Sequence, residues 1–220
     1  MARTISPDAL AYIFDMDGVI VDSHEIHVEA WHRYLHRHQI SMSDLGPLMH
    51  GKHNGELVRE LFGPQLTDTE VLAHGAAKEA LYREMMRPQL KARLVRGLTD
   101  FLGQHAAVPA AVASNAEPAN LDFVLDGAGL RGRFRVVVDG HQVTRPKPDP
   151  EIFLRSAALL RFEPGQCIVF EDSAPGIHAA RAAGMRVVAV NTARAPLPSA
   201  DLTVADFSAP ELPAWLARSC

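Results

Sequence analysis

From Gly97 onward the chain alternates helix-like stretches with short apolar runs, and this alternation constrains the fold more than any other feature. Leu98–His105 leads to the run Val108–Ala113, Pro118–Gly127 to Arg135–Val138, Pro150–Leu160 to Cys167–Phe170, and Pro175–Ala183 to Arg186–Val190. Leu202–Val204 reads as a short further strand and Pro210–Arg218 as a closing helix. Continuous apolar runs are strands buried on both faces, and strands separated by helices pair in parallel beneath two helical layers. Leu10–Phe14 is one more run of this kind near the start.

Between the first run and Gly97 the pattern is helical. Ser23–His38 carries Ile26, Ala30, Tyr34 and Leu35 on one side, with Ser23 as its N-cap. Glu56–Phe62 is stopped by Gly63 and Pro64. Thr67–Met86 opens on Thr67 with Glu70 three residues on, which is a capping box. The expected fold class is therefore α/β. A Rossmann-like, doubly wound parallel sheet core spans 1–22 and 93–220, and an all-helical cap domain is inserted at 23–92. Ligands of such sheets bind at the carboxyl ends of the strands, so the core is expected to be catalytic and the cap to set substrate specificity.

Composition excludes several classes. The 220 residues carry a net charge of -4 with no block of Lys and Arg, so no nucleic acid is expected as a partner. No apolar run approaches the roughly 20 residues of a membrane helix, and the first residues lack a secretory pattern; a cytoplasmic location and no membrane partner are expected. The two cysteines, Cys167 and Cys220, are read as reduced thiols. His32 and His36, four apart among 11 histidines, suit a solvated helix face as well as a zinc pair.

Polar residues follow four of the apolar runs: Asp15 and Asp17, Ser114 and Asn115, Lys147, and Glu171 with Asp172. In a parallel sheet all four groups meet at one edge. Four carboxylates held together repel one another unless a cation sits among them, and their hard oxygens suit Mg²⁺. Asp15 then serves as nucleophile toward a phosphate ester, with Ser114, backbone N–H groups and Lys147 neutralising the phosphoryl oxygens. Residues i and i+2 of extended chain face one side, so Asp17 reaches the same group and acts as acid and base. A phospho-receiver module also uses an acid cluster and a Lys, but it needs neither the insert nor Asp17.

These segments closely resemble the four motifs of the haloacid dehalogenase superfamily: Phe14 to Ser23, Val112 to Asn115, Arg145 to Pro150, and Phe170 to Ile177. The insert after the first motif resembles the small helical cap of the subgroup that holds β-phosphoglucomutase and many sugar phosphatases. The resemblance implies Asp15 as nucleophile and ligand, and Asp17 as acid/base that ligates Mg²⁺ through its backbone carbonyl. It implies Ser114, Asn115 and Lys147 as phosphate-binding, and Glu171 and Asp172 as completing the metal site. Dehalogenases and phosphonoacetaldehyde hydrolases lack the second Asp of the first motif, which here is Asp17. The implied substrate is a small phosphate ester, a sugar phosphate first, and the protein is expected to act as a monomer.

The cap distinguishes hydrolase from mutase. Where the mutase has a Lys-Gly pair and then an arginine, this chain has His50, Gly51 and Asn54. Asparagine offers no cationic fork for a second phosphate, which favours the phosphatase, while Ser23, His27 and Lys78 lean toward the mutase. His27, His50, Gly51, Lys52, His53 and Lys78 are the candidate substrate contacts. Pro146, Pro148 and Pro150 stiffen the Lys147 loop, and the sequence does not say whether one of their X–Pro bonds is cis.

Overall fold

The protein is described by a computed structural model at residues 10–42, 45, 48, 54–194 and 196–218. The chain divides into two compact units, Met1–Asp22 with Arg93–Cys220, and Ser23–Ala92.

The first unit holds a six-stranded sheet: β1 (Ala11–Phe14), β2 (Ala110–Ala113), β3 (Val136–Val138), β4 (Cys167–Glu171), β5 (Arg186–Val190) and β6 (Leu202–Val204). Their order is β3-β2-β1-β4-β5-β6, with every pair parallel. The order reverses beside β1, and a doubly wound sheet opens its crevice at such a point. In register, Phe14 pairs with Val112 on one side and Phe170 on the other. The three strands therefore end level, and the residues that follow them meet.

Alternation across the strands builds two cores. On one face the Phe14 and Phe170 rings stack at 4.7 Å, joined by Tyr12, Phe101 and Phe207. On the other, Ile13, Ala111, Val169 and Val187 meet Ile152, Phe153 and Ile177. Burying each of these large side chains contributes roughly 1.5–3 kcal/mol. Several expected boundaries shift: the second strand starts at Ala110 rather than Val108, because Pro109 has no N–H and instead accepts from the Tyr12 N–H at 2.9 Å.

Five helices belong to this unit among the described residues: α4 (Leu98–Gln104), α5 (Pro118–Gly127), α6 (Glu151–Leu160), α7 (Ala174–Ala182) and α8 (Glu211–Ala217). The second unit is helical, with α1 (His24–Arg37), α2 (Asn54–Phe62) and α3 (Asp68–Met86). Its core joins Trp31, Tyr34 and Leu35 of α1 to Leu57, Val58 and Leu61 of α2 and to Val71 and Leu81 of α3. Thr67 caps α3 through the capping box with Glu70. Ser23 occupies the N-cap position of α1 but makes no side-chain capping bond, because its backbone is already helical there. No helix among the described residues is long and apolar enough to cross a membrane.

Candidate active site

Lys147 is the hub of the strand-end cluster. Its ammonium donates to Asp15 Oδ1 at 2.5 Å, to Glu171 Oε1 at 2.7 Å and to the Ala113 carbonyl at 2.9 Å. These partners follow or close β1, β4 and β2, so one side chain ties three strand ends together. The lysine is only 5% exposed and Asp15 7%. The Lys147 N–H donates to Asn115 Oδ1 at 3.3 Å, fixing this loop to the end of β2. The Lys147–Pro148 bond is cis.

Glu171 is fully buried and holds the lysine in place. Its second oxygen accepts from the Asp172 and Ser173 N–H groups and from Ser173 Oγ, each at 2.9 Å. Ser173 Oγ in turn accepts from the Gly176 N–H and caps α7. A Cβ on Gly176 would overlap the Glu171 carboxylate, so only glycine fits there. Glu171 was expected among the metal donors. Here its two oxygens accept hydrogen bonds from Lys147 and from the start of α7, so it also anchors both.

The β1 loop is wound tightly, with the Gly18 N–H on the Val21 carbonyl and the Ile20 and Val21 N–H groups on that of Met16. Gly18 has φ +74°, and a Cβ on it would run into the Asp172 carboxylate. That overlap places Asp172 directly over the loop that carries Asp15 and Asp17. Thr192, which follows β5, donates to the Gly18 carbonyl at 3.1 Å. Neither Thr192 nor the Glu171 anchor Ser173 is marked by sequence spacing. Each works on another residue rather than at the strand-end edge itself.

Electrostatics set the carboxyls apart. Burial raises the Asp15 carboxyl to about 7, with Glu171 and Asp17 adding to the rise and Lys147 opposing it. Burial, then the charges of Glu171, Asp15 and Asp17, holds Asp172 well above the usual carboxylate range. Burial opposes the charge on Lys147, but Asp15 and Glu171 more than restore it, so its pKa lies above the ordinary value. Carboxyls pushed up in this way are short of positive charge.

The second unit has a charged cluster of its own. Lys78, 1% exposed, donates to Glu79 Oε1 at 2.8 Å and lies 2.9 Å from His27 Nδ1. Asn54 Nδ2 donates to the same Glu79 oxygen at 2.5 Å. His27 stacks on Tyr82 at 3.8 Å, and the Lys78 ammonium lies 5.1 Å from the Trp31 ring centre. Lys78 is thus a buried partner of Glu79 rather than a solvated charge. Glu79, the group that holds Asn54 and Lys78, is absent from the sequence expectations. His50, Gly51, Lys52 and His53 lie outside the described residues.

Residues 10–184 match the family model of the haloacid dehalogenase-like hydrolases. The chain belongs to that family. Among its relatives, the fructose-1-phosphate phosphatase YqaB of Escherichia coli is 32% identical over 180 residues, covering 81% of this chain and 94% of that one. The β-phosphoglucomutase of Bacillus subtilis is 29% identical over 204 residues, covering 90% of each. The β-phosphoglucomutase structure from Clostridium difficile superposes with a TM-score of 0.82 at 26% identity, covering 96% of this chain and 97% of that one. The protein is an enzyme of this hydrolase family, of the β-phosphoglucomutase-like and sugar phosphatase-like kind.

Proposed function

We propose that the protein is a Mg²⁺-dependent phosphatase that hydrolyses a small monophosphate ester, a sugar phosphate first, through an aspartyl phosphate on Asp15. The observation that carries this reading is the Lys147 bridge between Asp15 and Glu171. It fixes a nucleophile and a cation at one point where three strands end.

The donor set fits Mg²⁺. No three carboxylate, His or Cys side chains among the described residues already form a closed metal cage, and Mg²⁺ does not need one, because it keeps waters and takes phosphate oxygens. Two carboxyls raised by burial, and further by the neighbouring carboxylates, are what a divalent cation relieves. Asp15, Asp172 and the backbone carbonyl of Asp17 would hold it. When bound, the ion supplies positive charge to the phosphoryl oxygens.

The protein's own groups carry the rest. An Asp15 oxygen bonds to phosphorus as the ester P–O bond breaks, and Asp17 gives its proton to the leaving oxygen. Asp17 then takes a proton from water, whose oxygen attacks phosphorus, and the P–O bond to Asp15 breaks to release phosphate and the free carboxylate. Lys147 and Ser114 neutralise the transferring group throughout, with Asn115 positioning Lys147.

The second unit favours hydrolysis over mutase chemistry. A mutase must grip a second phosphate. Here the Lys78 charge is matched by Glu79, and the Asn54 amide is spent on the same carboxylate. We assign substrate selection to residues 23–92, with His27, His50, Gly51, Lys52 and His53 as the residues to test. The deciding experiment follows phosphate release from a sugar phosphate panel with Mg²⁺, using Asp15→Asn as control. β-Glucose 1-phosphate with a trace of its 1,6-bisphosphate runs alongside. Release that vanishes in the variant supports the phosphatase; isomerisation without release would make the protein a mutase.

A further inference from the structure

The opposite ends of the same strands carry a second polar cavity. It has a volume of about 110 Å³ and opens beside Tyr12 of β1, Ala110 at the start of β2 and Arg135 just before β3. Arg133, Arg135 and His105 line it, with Gly132 leaving backbone open between the arginines. Among the described residues no carboxylate lines it. In a chain of net charge -4 with His neutral, two arginines around one small cavity, with no acid among its described lining residues, form an arrangement that attracts anions.

The neighbouring arginine shows the contrast. Arg131, in the same turn, is neutralised by Asp122 and Asp126. Arg133 donates one Nη2 bond to the Leu102 carbonyl near the end of α4, which uses one of its five N–H groups. Among the described residues neither Arg133 nor Arg135 pairs with a carboxylate. His105 Nδ1 lies 2.9 Å from the Phe101 carbonyl, so that nitrogen carries a hydrogen and fixes the ring against the end of α4.

The geometry points to a binding site for a phosphate-sized oxyanion at the amino ends of β1, β2 and β3, remote from Asp15 along those strands. Guanidinium forks match the oxygens of such an ion in pairs. The site is independent of the catalytic reading.

The test is a titration of the ¹⁵N-labelled protein with inorganic phosphate in EDTA, with sodium chloride at matched ionic strength as control. The Gly132 and Arg135 amides are expected to shift along a saturable curve of their own, separate from the Ser114 and Asn115 amides. Arg135→Ala, which breaks no side-chain bond among the described residues, is expected to weaken that curve at least about tenfold. Arg133→Ala/Arg135→Ala should abolish it while the amide resonances of the sheet, such as Val112 and Val169, keep their native positions, which shows that the variant is folded. Shifts confined to Ser114 and Asn115, an equal response to chloride, or a curve unchanged in Arg135→Ala would each overturn the proposal.

Discussion

At the scale of single residues, the site depends on one buried lysine. Replacing Lys147 with Met removes the ammonium that bonds both Asp15 and Glu171 and leaves two carboxylates without it. Breaking a buried ion cluster in this way costs about 3–5 kcal/mol, and loss of a preorganised cation costs about 10²–10³ in kcat. Urea unfolding and phosphate release should show both effects. Arginine should not rescue activity, because its planar fork cannot reproduce three bonds from one nitrogen. Gly18 yields a more selective prediction. Alanine there must hold φ +74° and displace Asp172, at about 1–3 kcal/mol for the backbone alone. Because Asp172 is a proposed metal donor, the Mg²⁺ concentration for half-maximal activity should rise about 10–100-fold. An unchanged Mg²⁺ requirement would remove Asp172 from the metal set.

At the scale of elements, α7 and β4 are coupled through Ser173. Its hydroxyl accepts from the Gly176 N–H and donates to Glu171. Ser173→Ala should therefore cost about 1 kcal/mol for the cap, and it should also lower kcat by loosening the anchor of Lys147. A stability loss with unchanged kcat would confine Ser173 to a capping role. This coupling also shows what the sequence can and cannot convey. The apolar runs ending in Asp15, Ser114 and Glu171 announce a parallel sheet with acids at one edge, because burial on both faces leaves few other readings. Division of labour among the acids is hidden, since Glu171 and Asp172 are adjacent and chemically alike. Only the donors from Ser173 and Lys147 separate the anchor from the proposed ligand. The sequence marks Lys78 as a candidate substrate contact but hides its partner Glu79. A lysine and a glutamate in a helix read as solvent-facing until Asn54, His27 and Trp31 are seen to surround them.

At the scale of the whole molecule, the two units carry different electrostatic liabilities, and acid should tell them apart. Burial raises the Glu79 carboxyl, but Lys78, His27 and the bonds from Lys78 and Asn54 outweigh it and bring it down to about 2. A carboxyl depressed in the folded state stabilises the fold above its unfolded pKa, near 4.5, and loses that contribution as pH falls toward 2. The contribution amounts to roughly 3 kcal/mol, a large share of what a unit of this size can spare. Lowering pH from 5 to 2.5 should therefore open the second unit first. Hydrogen exchange would show it as lost protection at Leu57, Leu81 and Tyr82 while Val112 and Val169 of the sheet stay protected. Glu79→Gln supplies the control. It keeps an acceptor for Lys78 and Asn54 but cannot ionise, so it should be the less stable protein at pH 7, with the gap to the parent closing between pH 4.5 and 2. A gap that stayed constant with pH would mean that Glu79 acts through its shape alone, and the acid sensitivity of the second unit would need another source.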